Sequence, residues 1–81
     1  MNMNSKPISK LNCKRLEYIG IFLRNYRLNE GLTQLEVSEE AKIHRNTIHH
    51  IETGKNVTLT TLFDLCDYYA ISLADVILDI D

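Results

Sequence analysis

The sequence predicts an all-α fold, five short helices around one small core, and two observations carry that reading. Apolar residues recur at spacings of three and four within the segments between turn residues, the signature of one buried helix face. Four helix starts also share one frame, an apolar pair around a capping residue: Leu32 and Val37 around Thr33, Ile43 and Ile48 around His44, Val57 and Leu62 around Thr58, Ile71 and Val76 around Ser72. Such a pair clamps across the first turn and fixes the angle at which the chain arrives. Eighty-one residues at 44 % apolar composition hold one domain, above the length of about 40 residues below which metals or disulfides are usually required.

Met1 to Leu11 contains the only proline, little apolar content, and Lys6 and Lys10. It reads as a flexible tail (residues 1–11) ahead of a folded domain (residues 12–81), since unpaired termini fray. In helix one, about Asn12 to Asn29, Leu16, Ile19, Leu23 and Tyr26 recur at helical spacing, Asn12 stands where it can cap the start, and Gly31 follows as a left-handed stop. Arg27 falls four after Leu23, on or beside the inward stripe, where a cation needs a partner. Helix two, about Thr33 to Glu40, opens on a capping box formed by Thr33 and Glu36. The turn Ala41-Lys42-Ile43 is short enough to force the steep crossing of a helix-turn-helix. Lys42 stands where glycine turns most easily, at a strain of about 1 kcal/mol if the backbone is left-handed.

Helix three, about Arg45 to Thr53, turns Ile48 and Ile51 inward and gathers Arg45, Asn46, His49 and His50 into one outward patch at 100 degrees per residue. His44, ahead of it, is a weak capping residue. Glu52 lies four after Ile48 and points inward. Arg27 and Glu52, two opposite charges leaning into one core, are best explained as a structural ion pair, because either alone would be an unpaired buried charge. Helix four, about Leu59 to Tyr69, and helix five, after Ser72, supply packing through Leu59, Leu62, Phe63, Leu65, Cys66, Leu73, Val76 and Ile77. Tyr68, Tyr69, Ile77, Leu78 and Ile80 are more apolar surface than this end needs, which favours a homodimer through the C-terminal helices.

Net charge is −2, yet it is unevenly placed. Residues 1–55 carry all nine bases against six acids, and residues 56–81 carry five Asp and no base. A protein that touches phosphate with one face shows this asymmetry. The longest apolar run, Tyr18 to Leu23, is broken by Gly20 and far short of the roughly 20 residues that cross a bilayer. With no signal-peptide pattern the expected compartment is the cytoplasm. Cys13 and Cys66 have no second cysteine nearby, unlike a metal or redox motif, and Cys66 falls among core positions. No two of the three histidines stand four apart on a helix face, so no metal site or cofactor is expected. The helices leave only Ser38 as a nucleophile, and it is placed for packing, so the chain is not expected to be an enzyme.

With these residues in view the chain resembles the Cro and lambda-repressor-like (XRE) helix-turn-helix family over about Leu16 to Leu78. The matching stretches are Gly31-Leu32-Thr33-Gln34, Ala41-Lys42-Ile43, Arg45-Asn46-Thr47-Ile48, Ile51-Glu52-Thr53-Gly54-Lys55, Leu59-Thr60-Thr61-Leu62 and Ile71-Ser72-Leu73. It departs where the family often has Gly in the turn, Ser as cap of helix three and Pro before helix four; Lys42, His44 and Val57 stand there. The resemblance implies that the late Arg of helix one pairs with the Glu closing helix three, here Arg27 and Glu52. It further implies that Gln34 contacts DNA backbone and that Arg45, Asn46 and His50 read bases. Lys42, Thr47 and Lys55 are expected at phosphates, with His49 at guanine or phosphate. The expected partner is double-stranded DNA, bound by a homodimeric repressor with helix three in the major groove. An alternative fits the acidic, apolar C-terminal end: an adaptor or antitoxin whose main partner is a protein such as a toxin.

Overall fold

The computed structural model describes residues 7–80 as five helices: α1 Lys10–Asn29, α2 Gln34–Ala41, α3 Arg45–Glu52, α4 Leu59–Tyr69 and α5 Leu73–Ile77. Each is positioned by a side chain at its start. Thr33, Thr58 and Ser72 accept amides of the first turns of α2, α4 and α5, which satisfies donors that a helix cannot pair internally. Thr33 and Glu36 complete the capping box, with Thr33 N donating to Glu36 Oε1 at 2.8 Å and Glu36 N to Thr33 Oγ1 at 3.0 Å. The Thr33 amide first, and the Thr33 hydroxyl second, hold the Glu36 carboxyl below its ordinary range.

The start of α1 differs from the sequence reading. Ser9 caps it, accepting from Asn12 N at 3.1 Å, so Lys10 and Leu11 belong to the helix rather than to a tail, and Asn12 is a donor in the first turn rather than the cap. Its side chain serves Arg15 instead, accepting from Nη1 at 2.9 Å. Residues 1–6 of the expected tail lie outside the described residues. Among the described residues no helix is long and apolar enough to cross a membrane.

α3 packs between α1 and α2, while α4 lies against α2 and α5 closes on α1 and α4. The core this encloses is Leu23, Val37, Ile43, Ile48, Ile51, Leu62, Leu65, Cys66, Tyr69 and Val76. Tyr69 therefore is not the surface residue expected from the sequence. It continues the Leu62, Leu65, Cys66 stripe inward, against Tyr26 with ring centroids 4.9 Å apart, and Tyr26 donates its hydroxyl to the Tyr69 carbonyl at 3.2 Å. Burial, followed by the nearby Glu52 charge, pushes the Tyr69 phenol upward. Tyr68, one step around the helix, bonds Glu40 instead and ties α4 to α2. That bond raises its phenol to about 12.

The crossing of α1 over α3 depends on Gly20. A Cβ built there would stand 2.4 Å from the Ile51 carbonyl oxygen and 2.8 Å from that of Glu52, distances that only a shift of one helix backbone relieves. Gly20→Ala should therefore lower stability by about 2 kcal/mol: overpacking costs about 1–3 kcal/mol, at its upper end against rigid backbone, and alanine returns about 1 kcal/mol of helix propensity. Urea unfolding reads this directly. A variant as stable as the parent would mean that the two helices cross less tightly than the structure places them.

Candidate nucleic-acid interface

α2 and α3 are joined by a backbone that turns left-handed at Lys42, with φ 58° and ψ 40°. A residue with a Cβ pays about 1 kcal/mol or more there, and burial of the next residue, Ile43, holds the turn in place. His44 then caps α3 through its ring, Nδ1 accepting from Asn46 N at 3.1 Å. The weak cap expected from the residue type is thus a working one, because the imidazole supplies an acceptor where serine would supply a hydroxyl.

Beneath α3 the charged side chains form one clasp. Arg27 donates from Nε to Glu52 Oε2 at 2.7 Å and from Nη2 to Glu52 Oε1 at 2.9 Å. Its Nη1 donates to the Leu32 carbonyl at 2.8 Å. Arg27 is 7 % exposed and Glu52 6 %, so the planar guanidinium meets the carboxylate two-pronged in a site largely closed to water. The Glu52 bond outweighs the cost of burial and raises the Arg27 pKa above its ordinary value. One cation thereby joins α1, the chain ahead of α2, and the end of α3.

Gln34 belongs to the same clasp. Its Nε2 donates to Glu52 Oε1 at 3.0 Å, and the side chain is half-buried, whereas sequence reasoning gave it to DNA backbone alone. The first residue of α2 is therefore fastened to the last of α3, which fixes the angle between the two helices from the far end of the turn. Spacing gives no hint of this contact, since the two residues stand eighteen apart.

The outer side of α3 holds Arg45, Asn46, His49 and His50, all exposed. The two imidazoles lie with ring centroids 6.5 Å apart, tilted rather than stacked. Lys42 and Lys55 are exposed at the two ends, and Thr47 is half-buried at the edge. At the C-terminal end the Thr53 hydroxyl donates to the His49 carbonyl at 2.8 Å and the Lys55 amide to the His50 carbonyl at 2.8 Å. The chain can turn there because Gly54 adopts φ +79°, with Glu17 so close that a Cβ would lie 2.9 Å from its Cγ. The result is a short convex rod, anchored on one side by Ile48, Ile51 and Glu52, with a cationic and amide-bearing face turned to solvent.

A helix-turn-helix family model matches residues 23–76. The crystal structure of the clp gene regulator ClgR from C. glutamicum is similar at 27 % identity with a TM-score of 0.70, covering 90 % of this chain and 88 % of that one. No curated protein matches the chain in sequence. With the family model spanning the clasp, the turn and α3, this chain belongs to the helix-turn-helix family of the Cro and lambda-repressor-like (XRE) type.

Proposed function

We propose that this chain is a sequence-specific transcriptional repressor that acts in the cytoplasm as a homodimer, placing α3 in the major groove of double-stranded DNA. The observation that carries this reading is the α3 face. Arg45 and Asn46, adjacent in the first turn, are exposed on a helix whose opposite side is fixed by a buried ion pair. B-DNA's major groove admits one α-helix, and its base edges suit these side chains: arginine pairs two-pronged with guanine, asparagine with adenine. Lys42, Lys55 and Thr47 flank the patch as phosphate contacts, which set register without reading sequence. His49 and His50 extend the face along the groove. Gln34 holds α2 to α3 and offers its remaining amide hydrogen to the backbone.

One such domain makes few contacts, and two copies related by a twofold axis double them. The C-terminal end supplies a surface for this: Leu78 is 76 % exposed and Ile77 stands partly open beside it. With Tyr69 in the core, the apolar area is smaller than the sequence suggested, which suits a dimer completed on DNA. Selection of bound fragments from a random duplex pool is the test. The expected product is a palindromic consensus with half-sites about 34 Å apart, one helical turn. Recovery of unselected sequence at every salt concentration would overturn sequence-specific reading.

A further inference from the structure

The ring of His44 has two ends, and only one of them is used by the fold. Nδ1 accepts the Asn46 amide at 3.1 Å, and a nitrogen that accepts carries no proton. In the neutral imidazole the proton then resides on Nε2. The hydrogen bond that caps α3 thus also fixes the tautomer and the ring's orientation, and it leaves an N–H on the ring edge away from the helix. His44 is exposed, and no acceptor among the described residues meets that N–H. It stands directly before Arg45 and two residues after Lys42, both exposed, at the end of α3 that carries the base-reading side chains.

We infer that His44 is a DNA-backbone contact whose Nε2–H donates to a phosphate oxygen at the edge of the groove entered by α3. The inference rests on the function proposed above and adds to it a residue that its type and spacing gave only as a poor cap. Phosphate is the acceptor that fits. His44 precedes the first helical residue, where the chain leaves the groove, and the donor is neutral, directional and held by the same bond that orders the first turn of α3. A contact of this kind positions the helix without reading sequence. Being uncharged, it also leaves the number of phosphates neutralised by Lys and Arg unchanged.

The separating variant is His44→Gly. Glycine starts a helix nearly as well as threonine, so α3 keeps its N-terminus while the outward donor is lost; serine would not separate the two roles, since its hydroxyl can accept the amide and still donate. Unfolding in urea should show a midpoint close to that of the parent. Affinity should fall by about tenfold or more, the worth of one hydrogen bond to a charged acceptor, equally for the selected consensus duplex and for a mixed-sequence duplex, with the salt dependence unchanged. Nitrogen NMR of the ring supplies a second reading: in the free protein Nδ1 should be bare and Nε2 protonated, and the Nε2 signal should shift when duplex is added. Equal affinity of His44→Gly and parent, or a loss confined to the consensus duplex, would overturn the inference. Neither result touches the proposed function, which fails on a different outcome, a parent protein that retains no duplex.

Discussion

Glu52→Ala is expected to lower stability by about 3–5 kcal/mol, the cost of leaving a buried charge without its partner. Arg27, at 7 % exposure, would lose two of its three hydrogen bonds and retain only the Leu32 carbonyl. Gln34 would lose its acceptor in the same step. A small domain holds about 5–15 kcal/mol in total, so the loss removes a large share of it and the urea midpoint should fall steeply. The same reasoning predicts an asymmetry. Replacing Arg27 and Glu52 together by Met and Leu should recover most of the loss, since well-packed apolar pairs substitute for buried ion pairs at little cost. Urea unfolding of the single and double variants distinguishes cohesion from placement. If Glu52→Ala unfolds with the parent, the clasp does not hold α3 to α1.

Much of the fold is local, and for that reason it can be read along the chain. Thr33, His44, Thr58 and Ser72 each cap the helix their flanking apolar pair announces, because a cap is decided by residues within one turn. The start of α1 escaped the same test although it carries the same frame: Ile8 precedes Ser9, and Cys13 follows at the fourth helical position. Asn12, an equally good capping type, stood closer to the apolar stripe and drew the boundary inward.

What could not be read depends on how separate helices meet. Gly20 interrupts an apolar run and looks like a weakness, until α3 is placed against it and the Ile51 carbonyl is found where a side chain would go. Gln34 looks like a backbone contact until Glu52 is brought beneath it. Tyr68 and Tyr69 are adjacent and chemically alike, and only the rotation of α4 against α1 sends one into the core and the other to Glu40. Ala70 turns left-handed at φ 58° in a position that glycine or asparagine usually fills, so residue type gave no sign of that turn either. The exposed face of α3 was legible because helical rotation alone separates it from Ile48 and Ile51.

If this exposed face, and not the fold at large, selects the DNA, the double variant Arg45→Ala/Asn46→Ala should lose selectivity and keep its fold. Both side chains are exposed and make no hydrogen bond among the described residues, and the amide of residue 46 that serves the His44 cap is retained by alanine. Stability should therefore change by no more than about 0.5 kcal/mol, as for surface positions generally. Each two-pronged base contact contributes about 1–3 kcal/mol of discrimination, so the pair together should be worth about 2 kcal/mol or more, roughly 30-fold in selectivity. The measurement is the ratio of affinities for the consensus duplex and a mixed-sequence duplex, at one salt concentration, for parent and variant. The ratio should collapse toward one while weak, salt-sensitive binding to both duplexes remains. An unchanged ratio in a folded variant would contradict selection by this face.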